Sequence, residues 1–144
     1  MAWTSETVVS KIYETAGSTN RYDAQRLEQW LAILRRRPPE ETLRALLGVF
    51  ENSARAQTRY LDQEYAGHLL MALQPPCPVD VVSLIRPILA TWDPSVEQLP
   101  WYFDAILGRE SFLRSLDSLA ELDLSPSERK ALETFHYWLR MRGA

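Results

Sequence analysis

The stretch that decides the fold is SPSERKALETFHYWLRMR, residues 125–142. Its opening places Pro126 directly after Ser125, and Glu128 follows the serine by three residues. A serine that caps the first turn, a glutamate that reaches back to it and a proline at the first helical position together mark a helix N-terminus. Apolar side chains then recur at helical spacing, at Leu132, Phe135 and Leu139. The stretch therefore predicts one amphipathic helix.

The same punctuation recurs along the whole chain. A capping residue or proline, an apolar stripe at helical spacing and a stop follow one another about every 15–20 residues. The predicted helices are approximately residues 5–16, 22–36, 40–53, 57–73, 79–91, 94–108, 110–122 and 125–142. Asp93-Pro94 is the predicted start of the sixth helix. Pro87 and Pro100 lie inside predicted helices and should interrupt them, because proline lacks an N–H to donate.

The composition and the helix order predict an all-α fold in a single domain, residues 1–144. The 5 glycines and the few β-branched residues give strands little support, whereas Leu, Ala, Glu, Gln and Arg favour helix. Neighbouring helices pair into four hairpins, approximately residues 4–37, 38–74, 78–108 and 109–143. Stacked antiparallel hairpins are the favoured arrangement, and a closed irregular helical bundle is the alternative.

One segment, residues 79–93 (VDVVSLIRPILATWD), resembles the first half of a HEAT-type repeat. These repeats kink their first helix at a proline and place an aspartate in the following turn, and Pro87 and Asp93 match those roles. Trp101 and Tyr102 stand near the place where the family has a basic residue, and the other three hairpins lack the proline–aspartate pattern. The resemblance implies a right-handed α-solenoid with a protein-binding face, and it implies no catalytic residue.

Charge and cysteine content bound the function. The formal net charge is −3, which disfavours general nucleic-acid binding because that needs a basic stripe. Cys77 is the single cysteine, so neither an internal disulfide nor a cysteine-based zinc site can form. The chain start lacks the pattern of a signal peptide, and no apolar run reaches the length of a membrane span. The 14 arginines against 2 lysines suggest a GC-rich genome, and we expect a cytoplasmic, bacterial protein.

The sequence offers little that could carry chemistry, and we expect no enzymatic activity, cofactor or metal. Only His68 and His136 could serve a nucleophile as base, and Cys77 lies between two prolines. Glu133 and His136 have the Glu-x-x-His spacing of di-iron bundles, but a second copy of that motif is missing. A metal-binding helical-bundle enzyme that uses His68 or His136 therefore stays as an alternative.

The strongest candidate for function is an aromatic and acidic stretch in the second half of the chain. Residues 93–123 include seven acidic residues and two basic residues, Arg109 and Arg114, which gives a local net charge of −5. Aromatic side chains anchor a partner protein at an interface, and acidic side chains attract basic residues. The combination therefore suits a basic protein partner. The predicted partner-binding residues are Trp92, Asp93, Glu97, Trp101, Tyr102 and Asp104. In the competing interpretation, these aromatic residues are core and the acids form a solvated face.

These observations predict a non-catalytic protein-binding module or adaptor. Small, acidic, helical proteins of this kind include immunity proteins, which neutralise basic nuclease-type toxins by covering them electrostatically. A second hypothesis is an accessory helical subunit that contacts nucleic acid through arginines of the first half, chiefly Arg35, Arg36 and Arg37. At the end of a predicted helix, three arginines also complement the helix dipole.

Overall fold

The computed structural model describes residues 3–18, 21–78 and 80–143, and within these ranges it is built of helices without strands. The all-α prediction is thereby confirmed. The helices are α1 (Ser5–Ser18), α2 (Ala24–Leu34), α3 (Pro39–Glu51), α4 (Arg59–Leu73), α5 (Val81–Ile85), α6 (Gln98–Leu107), α7 (Arg109–Ala120) and α8 (Pro126–Arg142). A 3-10 turn, Arg86–Ile88, follows α5 directly. None of the described helices is both long and apolar enough to cross a membrane.

The predicted start of α8 is confirmed in detail. The Ser125 hydroxyl accepts the N–H of Glu128 at 3.1 Å, and the N–H of Ser125 donates to the Glu128 carboxylate at 2.9 Å. The guanidinium of Arg86 also donates to this carboxylate, at 3.2 Å. The capping box therefore begins α8, and Arg86 joins this end of the helix to the 3-10 turn.

The two internal prolines act differently from each other. Pro87 lies in the 3-10 turn, and α5 ends before it at Ile85, which makes this helix much shorter than predicted. Val79, the predicted first residue of that helix, lies outside the described residues. Pro100 lies in the first turn of α6, where no intrahelical donor is required, and the predicted interruption there is wrong.

The start of α6 was also predicted too early. Asp93 does not begin a helix: its carboxylate accepts the N–H of Ser95 at 2.9 Å, and the backbone that follows forms a tight turn. The helix begins four residues later than Pro94, at Gln98. The segment between Trp92 and α6 is therefore a folded turn on the surface of α4.

The helices contact one another in two rows. In the first row, α1 contacts α3, α3 contacts the 3-10 turn, and α5 contacts that turn and α7. In the second row, α2 contacts α4, α4 contacts α6, and α6 contacts α8. The α3–α4 and α7–α8 pairs join the rows, and α4 touches α1, α2, α3 and α6. The arrangement of the helices as stacked hairpins, with a HEAT-like, right-handed character, stays a prediction.

A buried salt bridge closes the α3–α4 connection, and we call it the Asp62 junction (Tyr13, Asn52, Arg55, Thr58 and Asp62). The Asp62 carboxylate, 2% exposed, accepts from the Arg55 guanidinium at 2.9 Å and from the Thr58 hydroxyl at 3.1 Å. Arg55 also donates to the Tyr13 carbonyl at 2.9 Å and lies 4.2 Å over its ring. Burial raises the pKa of Asp62, and Arg55 and Thr58 oppose that rise. The junction fastens α1 to this loop.

A second buried polar residue of α4 holds the turn before α6. The amide of Gln63, which is fully buried, donates to the Thr91 carbonyl at 2.8 Å and accepts the N–H of Asp93 at 2.6 Å. The Thr91 hydroxyl in turn donates to the carbonyl of Phe50 on α3. Because both ends of the amide are used, the position of Asp93 relative to α4 is fixed.

Candidate acidic and aromatic interface

One face of α4 carries three polar side chains in a row. Tyr60, Glu64 and His68 are spaced four residues apart and therefore share a helix face. Tyr60 is 46% exposed, and the Glu64 and His68 side chains are 19% and 34% exposed. The Glu64 carboxylate lies 3.9 Å from His68 Nε2, and the nearby Tyr60 hydroxyl lowers the pKa of Glu64. This row is the centre of a surface that also receives residues from two other segments.

Tyr22 lies on one side of this row, just before α2. Its ring centroid is 4.8 Å from that of His68 and 5.1 Å from that of Tyr65. The Tyr65 hydroxyl accepts the N–H of Asp23 at 2.8 Å, which holds the start of α2 against α4. The Tyr22 ring is therefore packed in a defined place beside the imidazole.

Asp93 and Glu97 lie on the other side, in and just after the turn that Gln63 holds. The close approach of α6 to α4 depends on Gly67, since a Cβ there would lie 2.9 Å from the Cβ of Gln98. The Gln98 amide nitrogen is 3.4 Å from His68 Nε2. We call this surface the Glu64 patch, and its members are Tyr22, Tyr60, Glu64, His68, Asp93 and Glu97.

The electrostatics of the patch are those of acids crowded beside aromatic hydroxyls. Burial raises the pKa of Tyr60, and the negative charges of Glu64, Glu97 and Asp93 raise it further. Burial also raises the pKa of Glu64, and Glu97 adds to that rise, while His68 and the Tyr60 hydroxyl lower it. The pKa of Tyr22 is raised as well, first by burial and second by the negative charge of Glu64. These shifts place the patch in a negative local field.

The patch lacks a counter-charge from lysine or arginine. Among the described residues, Asp93 and Glu97 form no ion pair, and the one partner of Glu64 is His68. Some acids elsewhere in the chain pair with a neighbouring cation, as when Arg114 pairs with Glu110 at 2.9 Å. Asp93 and Glu97 are therefore without a cationic partner in the part of the chain that the structure describes.

The structure corrects the predicted partner-binding set at two positions. Trp92, 3% exposed, stacks on Phe135 at 4.4 Å between centroids, and its indole N–H donates to the Val96 carbonyl at 3.0 Å. Tyr102 is fully buried, and its hydroxyl donates to the Pro75 carbonyl. As exposed anchors both predictions are wrong, because apolar bodies with satisfied polar tips pack into the core.

Trp101 and Asp104 lie against the end of α8 instead. The Trp101 indole donates to the Trp138 carbonyl at 3.3 Å, and the Arg142 guanidinium lies 5.9 Å from its ring centroid. Asp104 lies 2.8 Å from Arg109 and 3.7 Å from Arg142. Asp104 therefore already has two cations of its own, and the predicted acidic character is reduced at this position.

The sequence analysis missed Tyr22, Tyr60 and Glu64, and it considered His68 only for chemistry. The four-residue spacing of Tyr60, Glu64 and His68 was a usable signal for a shared face. Nothing local, however, connects that face to Asp93 and Glu97, which lie about 30 residues further along the chain. The contact between α4 and α6 brings the two sets together.

The described residues give little structural support to the two alternative functions, metal binding and nucleic-acid binding. In the described ranges, no group of three or more histidine, cysteine, aspartate or glutamate side chains is placed to hold a metal. Among the arginines of the first half, Arg37 pairs with Glu41 at 3.0 Å and Arg55 with Asp62, while Arg35 and Arg36 are exposed. Two of these arginines are therefore paired with carboxylates, and Arg35 and Arg36 are the exposed members of the predicted run.

Comparison with known proteins returns no match: no family model, no curated protein and no solved structure is similar to this chain.

Proposed function

We propose that this chain is a non-catalytic protein-binding module and that the Glu64 patch binds a basic protein. The observation that carries the proposal is the group of three carboxylates, Glu64, Asp93 and Glu97, placed around an exposed tyrosine without a lysine or arginine partner among the described residues. Such carboxylates repel one another in the free protein. A partner with lysine or arginine side chains at this place would relieve the repulsion on binding.

The aromatic members support a protein rather than a simple counterion as the partner. Tyrosine rings bring contact area with few rotatable bonds, and exposed aromatic faces attract arginine and lysine head groups. Tyr60 offers its ring to solvent, whereas Tyr22 is held by packing against His68 and Tyr65. In this proposal the tyrosines provide the contact area and the carboxylates provide long-range attraction and orientation.

The specific form of the proposal is an immunity-type or adaptor role in a bacterial cytoplasm. An immunity protein must cover a basic toxin quickly, and a concentrated acidic surface accelerates such association. The proposed scaffold is a stack of helical hairpins in the manner of a HEAT-like solenoid, which presents a surface without chemistry of its own.

The experiment is an affinity capture from lysate of the source cells at low and at high salt, followed by mass spectrometry. The wild-type chain is compared with Asp93→Lys/Glu97→Lys, in which the patch loses its outer carboxylates. Glu121→Lys/Glu133→Lys is the matched control, since it makes the same charge change at two exposed residues that have no side-chain partner in the described structure. Circular dichroism confirms that all three proteins fold.

We expect one basic protein that wild type and control retain and that the patch variant loses. With the purified partner, we expect the patch variant to bind roughly 10- to 100-fold more weakly, chiefly through slower association at low salt. Equal capture by the patch variant would refute the Glu64 patch as the binding surface. Retention of nucleic acid by the wild type, abolished by Arg35→Glu/Arg36→Glu, would support the nucleic-acid hypothesis instead.

A further inference from the structure

A groove of about 530 Å³ runs along α3 on a surface that shares no residue with the Glu64 patch. Its apolar lining includes Leu43 and Leu47 of α3, each 4% exposed, and Leu84 of α5. The remaining wall is the extended segment 76–78, which has no regular secondary structure. The groove is apolar for most of its lining, and this volume is enough for one or two large apolar side chains with space around them.

Three charged side chains of α3 follow the groove from end to end. They are Glu40, Arg44 and Glu51, and none has a hydrogen-bond or ion-pair partner among the described residues. Eleven residues separate the two glutamates, which is three helical turns, or about 16 Å along α3. The groove therefore carries a fixed pattern of charge, negative at both ends and positive between them.

We propose that this groove binds an amphipathic helix of a partner protein, with basic residues opposite Glu40 and Glu51 and an acidic residue opposite Arg44. A helix laid along α3 repeats with the same rise per residue, so its charges can match the three side chains in one register. Its apolar stripe then faces Leu43, Leu47 and Leu84, as in helix-in-groove recognition. This inference does not depend on the proposed function, because it concerns a different surface.

Cys77 gives the experiment a reporter inside the groove. Its thiol is half-buried in the wall, and the Tyr102 hydroxyl lies within hydrogen-bonding reach. Burial raises the pKa of Cys77 to about 11, so the reactive thiolate is scarce at neutral pH. Alkylation is therefore measured at pH 8.5, where it proceeds slowly in the free protein and is slowed further by anything that fills the groove.

The probes are two synthetic helical peptides of about 18 residues with the same leucine stripe. The first carries Lys, Glu and Lys at the spacing that matches Glu40, Arg44 and Glu51, and in the second the signs are exchanged. Binding is measured by fluorescence anisotropy, and the rate of Cys77 alkylation is measured with and without peptide. Wild type is compared with Glu40→Lys/Arg44→Glu/Glu51→Lys, which exchanges the signs on the protein. Glu121→Gln/Glu133→Gln, which makes the same net charge change at two exposed residues, serves as the folding and charge control.

We expect the first peptide to bind wild type at least about 10-fold more tightly than the second and to slow alkylation of Cys77 several-fold. The sign-exchanged protein should reverse this preference, and the control should keep it. Equal affinity for both peptides, no binding of either, or binding without protection of Cys77 would overturn the proposal. An apolar dye that protects Cys77 where neither peptide binds would overturn it too, in favour of a small-molecule cavity.

Discussion

Asp62 and Glu64 lie two residues apart on α4 and have opposite surroundings. Asp62 is buried in the Asp62 junction, where the Arg55 guanidinium and the Thr58 hydroxyl satisfy its oxygens. Glu64 is half-buried at the centre of the Glu64 patch, with His68 and Tyr60 beside it and further acids close by. The pKa of each carboxyl is raised, and burial is the first cause in both.

The difference between the two regions lies in the source of the counter-charge. The Asp62 junction contains its own arginine, so removing one partner leaves a buried charge in the chain. The Glu64 patch contains no arginine or lysine among the described residues, so its repulsion is already present in the folded state. A carboxylate in the first region serves the fold, whereas we propose that those in the second lower stability and bind another molecule.

The largest expected effect on stability comes from breaking the Asp62 junction. Arg55→Met leaves Asp62 without a cation and removes the hydrogen bond to the Tyr13 carbonyl. We expect the free energy of unfolding to fall by about 3 kcal/mol at pH 7.5, at the lower end of the range for broken buried pairs because Arg55 is partly solvated. Urea denaturation measures this loss. Arg59→Met, at a neighbouring arginine with no side-chain partner in the described structure, should change stability by less than about 0.5 kcal/mol.

The same variant has a pH dependence with a defined sign. Without Arg55, only the Thr58 hydroxyl opposes the effect of burial on Asp62, so the pKa of Asp62 in the folded variant rises further above its value in the unfolded chain. A native state that holds its proton more tightly loses stability as pH rises through that pKa. The deficit of Arg55→Met should therefore be largest near neutral pH and shrink toward pH 4.5. A deficit that is equal at pH 4.5 and 7.5 would show that Asp62 is not its source.

An intermediate effect is expected at Gly67, where α6 approaches α4. An alanine Cβ would lie 2.9 Å from the Gln98 Cβ and 3.2 Å from a Val96 methyl, and the first of these atoms cannot move without the backbone. We expect Gly67→Ala to destabilise the fold by about 1–2 kcal/mol despite the better helix propensity of alanine. Thermal unfolding measures it, with Gly48→Ala, whose Cβ would meet nothing within 4 Å, as the control. A stabilised Gly67→Ala protein would contradict the close approach.

The smallest expected effect is a gain in stability, opposite in sign to the loss expected at the Asp62 junction. Glu64→Gln and Glu97→Gln remove one negative charge each from a patch whose acids repel one another. We expect each variant to be more stable than wild type by a few tenths of a kcal/mol at pH 7.5 and low salt, and the gain should fade at high salt. The same substitutions should weaken binding of the basic partner. A loss of stability as large as that of Arg55→Met would mean that these carboxylates are structural.

Much of the helix content could be predicted from local signals. The capping box at Ser125 and Glu128 involves neighbouring residues only, and α8 begins where the sequence places it. Asp93-Pro94 looks equally good locally, yet no helix begins there. Gln63, thirty residues earlier in the chain, takes the N–H of Asp93, and the Asp93 carboxylate closes a turn with Ser95. A distant buried amide thus decides an element boundary that local propensity cannot predict.

The candidate site could be predicted only in part, for a related reason. Asp93 and Glu97 belong to the Glu64 patch, but the aromatic residues beside them in sequence do not, because Trp92 and Tyr102 point into the core. The aromatic members come from α4 and from the start of α2, where Tyr60 lies in a helix whose buried face includes Asp62 and Gln63. This helix buries an acid and an amide and exposes a tyrosine. A prediction based on hydrophobic spacing therefore assigns its buried and exposed faces incorrectly.

The brevity of α5 has a consequence for hydrogen exchange. Its five residues and the 3-10 turn after it are too few to be stable as an isolated helix, so their order depends on packing through Val81, Ile85 and Ile88. Amides of this segment should therefore open locally and exchange before those of α4, which is packed against four other helices. Since Leu84 lines the apolar groove, the width of that groove depends on a segment that we expect to open locally.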